Sequence, residues 1–278
     1  MKSVYKKILI LSLVIIAVLV VLKLSNDNFK KQKISQFTIK INTQGGPELV
    51  TEEEVRSLIS QGYDSLTKRE VGEIDLEWIE NITRTNPFVS TVDAYINIDA
   101  SLSVDILQRK PILRVFNTKG ETFFIDSDGK MLPLNKGASP GLIVTAGDIS
   151  ERYLPSQQYQ YFDSVSFDQA RVLTTMHKLY LIASEISKDN FLSKLITQIY
   201  VDDNSHFELI PVIGDQNILL GDVDGLHIKL QNLHHFYKLG YKTINFSQYK
   251  TFDIRYHNQV VGVRKIFETE EPKKENDI

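Results

Sequence analysis

The chain has 278 residues, of which 42% are hydrophobic and 24% are charged. This ordinary globular balance suits one large domain or two smaller ones. The net charge is only -3, and beyond residue 23 the chain carries 28 basic and 35 acidic residues, a net of -7. Such an acidic chain is a poor ligand for phosphate backbones, so we expect no nucleic-acid partner. The absence of cysteine excludes disulfides, thiolate metal sites and cysteine nucleophiles.

An apolar run near the N-terminus is the strongest local signal. Residues 8–22 contain one polar residue, Ser12, and lysines flank the run on both sides. The run predicts a transmembrane anchor over residues 8–24, preceded by a tail of residues 1–7 and followed by a polar linker of residues 25–36. A cleaved signal peptide is the alternative, but no A-x-A-like site follows the run. Because lysines lie on both sides, charge alone does not decide the orientation.

The next segment predicts the order β-α-α-β-β over residues 37–109. Residues 37–41 alternate as a strand, and two helices follow, one opened by a capping box of Thr51 and Glu54 and one capped by Asp75. Two alternating runs then form a hairpin, and we expect their inward residues to be Val92, Ala94, Ile96 and Ile98 on the first and Leu102, Val104 and Ile106 on the second. The first strand can join this sheet only by a non-local pairing.

From Pro111 onward, short strands alternate with a few helices. Strands are predicted within 111–116, 122–134 and 141–146, and again within 195–201, 206–213 and 217–221. Helical spacing predicts one helix over 168–187 and a second over 226–239. The whole chain is therefore expected to be α+β, with a mixed, β-rich region and inserted helices after the first domain.

No motif in the sequence predicts a catalytic or metal centre. "SLTK" at 65–68 lacks the partner motifs of penicillin-recognising enzymes. His227, His234 and His235 lie on one predicted helix without the one-turn spacing of a zinc pair. "DSDG" and "GDVDG" lack the ligand spacing of a calcium loop and are better explained as turns. We therefore expect no catalytic residues, no metal and no cofactor.

The stretch "TFDIRYHNQVVGVRKIF" at 251–267 predicts two strands around residues 257–259. Phe252, Ile254 and Tyr256 alternate with polar residues, as in a strand with one buried face. "VVGV" at 260–263 carries no charge and no proline, the devices that usually protect an edge strand. An open edge here would accept an extended segment of a partner by strand addition. The alternative is that another strand of the same fold covers it.

Several segments, taken in order, resemble the FtsQ/DivIB cell-division proteins. "NPFVSTVDAYI" and "LSVDILQRKP" within 86–111 are similar to the end of that family's POTRA domain, with Gln108 where glutamate is usual. "FFIDSDGKML" at 123–132 resembles the hairpin that follows it. "LLG" at 219–221, with Lys229 and Leu230, resembles the stretch before the final strands, and "DIRY" at 253–256 is similar to the family's D-L-R-Y.

The resemblance implies a non-enzymatic divisome scaffold in the inner (cytoplasmic) membrane at the division site. Residues 1–7 would be cytoplasmic, 8–24 would span the membrane, and 37–110 (POTRA-like), 111–267 (β-domain) and a disordered tail, 268–278, would be periplasmic. The implied partners are the small bitopic proteins FtsB (DivIC) and FtsL. The implied contact is strand addition at the last strands, and the expected partner-binding residues are Ile254, Arg255, Tyr256, Val260, Val261 and Val263.

Two other functions are open at this point. A POTRA-type component of envelope or outer-membrane protein assembly would usually carry repeated POTRA units, and the sequence predicts one. A membrane-anchored hydrolase would need a catalytic set, and no recognised motif supplies it.

Overall fold

The computed structural model describes residues 2–134, 141–162, 164–240, 242–256 and 259–265, with side chains from residue 9 onward. The predicted tail of 268–278 lies outside these residues. The chain divides into two compact units, Met1–Arg109 and Lys110–Ile278. The fold is mixed α+β, as the sequence predicted.

The first unit consists of a long N-terminal helix and a small domain with one three-stranded sheet. Its elements in chain order are α1 (Lys2–Lys30), β1 (Phe37–Asn42), α2 (Glu52–Ser60), α3 (Leu76–Arg84), β2 (Val89–Ile96) and β3 (Leu102–Gln108). The strand order is β1-β3-β2, with β1 parallel and β2 antiparallel to β3. The non-local pairing of the first strand is therefore confirmed.

Helix α1 contains a segment, Leu9–Lys30, that is long and apolar enough to cross a membrane, and none of it is buried by the rest of the chain. The structure differs from the expected linker over 25–36. The helix continues to Lys30, and the following residues are hydrogen-bonded to a neighbouring segment, with Ile34 N donating to Arg69 O and Val71 N donating to Gln32 O. Ile34 is 2% exposed, so its buried apolar side chain holds this segment together with the hydrogen bonds.

Local signals fixed both short helices of this unit. Thr51 accepts from Glu54 N while the Glu54 carboxylate accepts from Thr51 N, and Asp75 accepts from Trp78 N. These bonds satisfy backbone donors that the first turn of a helix leaves free. The expectation that Ile98 is an inward strand residue is wrong, because β2 ends at Ile96 and Ile98 is 96% exposed in the turn before β3.

Gln108, which stands where glutamate is usual in the family that the sequence resembles, lies at the C-terminal end of β3. Its side-chain oxygen accepts from the amides of Leu49 and Val50 at 2.6 and 3.1 Å, and its Nε2 donates to Pro47 O at 2.8 Å. Gln108 is 1% exposed. A neutral amide serves here because the site needs one acceptor and one donor, and a carboxylate supplies only the acceptor.

The second unit contains one nine-stranded mixed sheet with helices. Its elements in chain order are β4 (Pro111–Phe116), β5 (Thr122–Asp126), β6 (Met131–Pro133), β7 (Ile143–Gly147), α4 (Phe167–Val172), α5 (Thr175–Lys188), α6 (Leu192–Leu195), β8 (Ile196–Val201), β9 (Phe207–Pro211), β10 (Asn217–Gly221), α7 (Leu226–Gly240), β11 (Tyr249–Asp253) and β12 (Val261–Arg264). The strand order is β12-β11-β10-β9-β8-β7-β4-β5-β6.

Helices α5 and α7 pack with the inward residues of the sheet into a single core, which includes Leu179, Leu233 and Phe252. The predicted single helix over 168–187 is in fact two helices. The chain is extended at Leu173 and Thr174, where Thr174 caps α5 by accepting from His177 N. Val172 is 81% exposed, so the apolar spacing that suggested one continuous helix included a residue that is not in the core.

Candidate partner-binding edge

Strand β12 forms one end of the nine-stranded sheet. Within the part of the chain that the structure describes, it pairs only with β11, antiparallel, with Phe252 opposite Gly262 and Asp253 opposite Val261. All four residues of β12 are exposed. Among the described residues, nothing pairs with the backbone groups on its outer side.

The direction of each backbone group follows from the neighbouring hydrogen bonds. Lys265 N donates to Gln248 O, so it faces β11, whereas Ile254 N donates to Leu219 O and faces β10. The direction of the backbone N–H and C=O groups alternates from one residue to the next along a strand. The backbone groups of Val261 and Val263 therefore face β11, and these residues form the hydrogen-bonded pairs between the two strands. Gly262 and Arg264 then direct their N–H and C=O groups outward, where an added strand would pair.

Val261 and Val263 are the apolar side chains of this edge. They are 39% and 51% exposed. Their cross-strand partners are Asp253 and Thr251, so both valines lie on the side of the sheet opposite to the buried face of Phe252. An added strand would place alternate side chains beside these two valines.

Gly262 is required by the packing of Tyr249. A Cβ on Gly262 would lie 2.7 Å from Tyr249 Cε1 and 3.3 Å from Phe252 Cε1. The Tyr249 ring also packs against Phe252, at a centroid distance of 5.0 Å, and the Arg264 guanidinium lies 5.8 Å from it. An aromatic ring over a strand glycine fixes the register of the edge strand, which is how β12 is held on β11.

Asp253 and Arg255 form a charged clamp at the end of β11. Arg255 Nη2 donates to Asp253 Oδ2 at 2.6 Å, and its Nε donates to Oδ1 at 2.9 Å. The Arg255 stem lies over Gly221, the last residue of β10, where a Cβ would meet Arg255 Cδ at 2.9 Å. Gly221 also has φ +74°, which favours glycine. The "LLG" and "DIRY" segments thus meet in space, since Leu219 pairs with Asp253.

The electrostatics keep this clamp charged. Burial acts to raise the pKa of Asp253, but hydrogen bonds from the Arg255 side chain and amide, together with the charge of Lys229, outweigh it and lower the pKa below its ordinary value. The Asp253 hydrogen bond in turn raises the pKa of Arg255. Lys229 is buried and donates to Asp222 O at 2.8 Å, so the loop after β10 is tied to the same charged cluster.

The structure places the six predicted binding residues in different environments. Arg255, Tyr256, Val261 and Val263 are exposed, with Tyr256 50% exposed, and Val260 is half-buried against the core. The expectation that Ile254 contacts a partner is corrected, because its side chain is 1% exposed within the core and is not available to a partner. His257 and Asn258 of the predicted connection lie outside the described residues.

Sequence reasoning missed Gly262, Arg264 and Tyr249 as parts of this edge. A glycine inside a strand often marks a close approach of other groups, so Gly262 was the available signal. No local sequence pattern indicates that the backbone groups of Arg264 point outward, since their direction depends on the register with β11.

Other strand edges among the described residues are covered or short. At β1, Arg56 donates to Phe37 O at 3.4 Å and is held by Glu52. At β2, Glu80 accepts from Ala94 N at 3.1 Å, and its partner Arg84 donates to Val92 O at 3.4 Å. The opposite end of the large sheet, β6, has three residues and ends in proline. Such devices disfavour strand addition. Strand β12 is also short, with four residues, but it contains no proline.

The histidine helix shows no metal centre. His227 pairs with Glu185 at 2.6 Å and His234 with Asp189 at 2.5 Å, so the two histidines have separate partners. No group of three or more metal-ligating side chains was found among the described residues. The two Asp-Gly segments are turns, in which Asp126 accepts from the amides of Asp128 and Lys130, while Asp222 and Asp224 bind lysines.

Comparison with known families identifies the second unit. A family model described as "FtsQ/DivIB, C-terminal related" matches residues 110–263, which is more than half of the chain. The chain belongs to the FtsQ/DivIB family. A POTRA-like domain model matches residues 32–107, in agreement with the β-α-α-β-β order of the first unit. No match to the chain was found among curated proteins.

FtsQ/DivIB proteins are a non-enzymatic scaffold family of cell division. The family implies partners among the membrane proteins of the divisome. With the apolar helix α1, it indicates a single-pass membrane protein at division. Residues 261–263 of strand β12 lie within the matched region, and its outer edge is the feature of this unit best suited to an extended partner.

Proposed function

We propose that this protein is a divisome scaffold that binds an extended segment of a bitopic division partner by strand addition to β12. The partner class is the FtsB/DivIC type, with an FtsL-like protein in the same assembly. The scaffold is non-enzymatic, with its two folded units on the periplasmic side of the inner membrane. The observation that carries the proposal is the exposed outer edge of β12 in a family of division scaffolds.

The proposed contact uses the backbone of Gly262 and Arg264 and the side chains of Val261, Val263 and Tyr256. The main-chain ladder supplies affinity, and the valines favour apolar residues at alternate positions of the partner. Arg255 holds the strand end through Asp253 and presents the remainder of its surface nearby. Ile254 supports this edge from the core.

The test compares proline with alanine at position 264. Because Arg264 N–H faces outward, proline there removes a donor to the partner and no hydrogen bond within the sheet. Proline also favours extended backbone at residue 263, which the strand already has. The full chain would be reconstituted in nanodiscs, and the affinity for the soluble domain of the FtsB/DivIC-type partner measured by interferometry.

We expect Arg264→Pro to weaken partner binding about 5- to 150-fold, since an unmade hydrogen bond costs about 1–3 kcal/mol. Arg264→Ala should have a much smaller effect. Val263→Pro is the fold control, because it removes a donor that faces β11 and should lower the melting temperature, whereas Arg264→Pro should not. Equal affinities of the Arg264→Pro and Arg264→Ala variants, with both folded, would refute strand addition at this edge.

A further inference from the structure

The turn between β2 and β3 presents an aliphatic side chain at its tip. Ala100 N donates to Asn97 O at 2.9 Å and Asn97 N donates to Ser101 O at 2.9 Å, so residues 97–100 form a tight turn. Ala100 has φ +62°, a conformation that the turn imposes. Ile98 occupies the second position of the turn and is 96% exposed. Single exposed aliphatic residues are common, so the exposure of Ile98 indicates a binding role only if its surroundings support one.

Those surroundings are the end of the membrane-spanning helix. Ile98 and Ile96 line an open cleft of about 400 Å³ together with Leu22, Ser25, Asn26 and Phe29 of α1. The α1 residues follow helical spacing, so one face of the helix is directed at the turn. The apolar run of α1 ends at Leu24, and the tip of the turn therefore lies beside its last apolar residues.

Short hydrogen-bonded connections hold the turn in this place. Gln32 N donates to Phe29 O at the end of α1, and Ser35 N donates to Ala100 O at 3.0 Å. Leu102 N then donates to Gln36 O at 2.8 Å as β3 begins. Only a few residues separate the end of α1 from its first hydrogen bond to the turn, and backbone hydrogen bonds hold this connecting segment in place.

We propose that the β2–β3 turn inserts Ile98 into the interfacial layer of the lipid bilayer beside α1. When α1 crosses a membrane, the end of its apolar run marks the boundary of the hydrocarbon layer. The cleft that Ile98 lines extends along α1 from Phe29 to Leu22, which is within the apolar run, so α1 itself brings Ile98 to the membrane surface and no protein partner is needed. This contact would fix the tilt of the POTRA-like domain relative to the membrane.

The charges near the turn set the expected depth. Lys23, Lys30 and Lys31 lie along the end of α1, where they can reach lipid phosphates. Two acids, Asp27 and Asp99, lie in the same region. The Asp99 carboxylate accepts from Ser101 N and Oγ at 3.0 and 2.7 Å, so it is satisfied within the turn. An ionised group cannot enter the hydrocarbon, and Ile98 should therefore reach the headgroup–acyl boundary and no deeper.

The absence of cysteine allows a direct test with single spin labels. Full-length Ile98→Cys would be labelled with a nitroxide in phosphatidylcholine–phosphatidylglycerol liposomes at a low protein-to-lipid ratio. Its collision rates with oxygen and with a water-soluble nickel chelate would be measured. Glu48→Cys is the matched control, because Glu48 is exposed and follows Pro47, which Gln108 binds at the opposite end of β3. The label at 98 should show a severalfold lower collision rate with nickel than the label at 48, and a higher rate with oxygen.

The other outcomes overturn the proposal. Equal nickel accessibility at 98 and 48 would place the turn in water. Protection of the label from both oxygen and nickel would place it against protein. Dipolar broadening that grows with the protein-to-lipid ratio would indicate that a second copy covers the turn. Since Ile98 is almost fully exposed, cysteine there should leave the fold intact, which the circular dichroism of both labelled proteins would verify.

Discussion

Alanine at Gly262 should loosen β12 from β11 and thereby remove the candidate binding edge. The added Cβ would lie 2.7 Å from Tyr249 Cε1 and 2.8 Å from Cδ1, closer than real Cβ contacts. Overpacking of this kind costs about 1–3 kcal/mol. Strand β12 has four residues, and two of them face β11, so the strand is held by few hydrogen bonds of about 1 kcal/mol each. The expected cost is thus a large share of the free energy that keeps β12 in place.

The assay is hydrogen exchange at the amides of Val261 and Val263, which face β11. A loss of about 1–3 kcal/mol in local opening free energy should accelerate their exchange about 5- to 150-fold, while core amides of β9 stay unchanged. Val263→Ala is the matched control, since it shortens an exposed side chain and adds no contact. It should change exchange little.

A double-mutant cycle identifies the cause. Tyr249→Ala removes the ring that the new methyl group would strike, so it should restore part of the protection lost in Gly262→Ala. We expect a favourable coupling of about 1–2 kcal/mol between the two substitutions. Unaltered exchange in Gly262→Ala, or two effects that simply add, would refute the argument that Tyr249 makes glycine necessary here.

Three further predictions concern the clamp and the first unit. Because the pKa of Asp253 is lowered in the fold, its carboxylate stabilises the fold above its ordinary pKa of 3.8 and loses this effect as the pH falls through the lowered value. Asp253→Asn should therefore lower the free energy of unfolding by about 1–3 kcal/mol at pH 7. Urea titrations should show that the difference between the two proteins shrinks below about pH 4. Gln108→Ala removes the side-chain acceptor of two buried amides and should cost about 2–4 kcal/mol, measured by thermal unfolding, whereas Gln108→Glu keeps the acceptor and should cost less. Removing Glu80 and Arg84 together should uncover the β2 edge and cause self-association in light scattering, and a monomeric double variant would contradict the capping role.

Features set by neighbouring residues could be predicted from the sequence. The caps at Thr51 and Asp75 depend on side chains three residues away, so the local pattern was sufficient. The non-local pairing of β1 also followed, because a strand separated from a hairpin by two helices has to pair with it non-locally, but the choice of β3 as its neighbour did not. The two strands of the 251–267 stretch were found because alternation and a turn are local signals too.

Features that depend on remote contacts could not be predicted in this way. Asp253 was expected on the polar face, yet it is 6% exposed because Arg255 folds over it and over Gly221. Ile254 continued the apolar alternation but lies beyond the end of β11, where the core encloses it. The break at Thr174 was hidden because the apolar spacing runs through it, although Thr174 is itself a good cap residue.

The small size of the proposed edge fits a membrane scaffold. Two outward-facing residues supply few hydrogen bonds, so strand addition at β12 alone would bind weakly, and a short edge also limits pairing with unrelated strands. A bitopic partner is confined to the same bilayer as α1, and confinement raises the effective concentration of its segment at β12. Under the proposed function, a weak but register-specific edge would then be sufficient within the assembly, and the same edge would stay largely unoccupied by soluble proteins. Affinity for the isolated partner domain should consequently be lower than for the same partner reconstituted with this protein in one membrane.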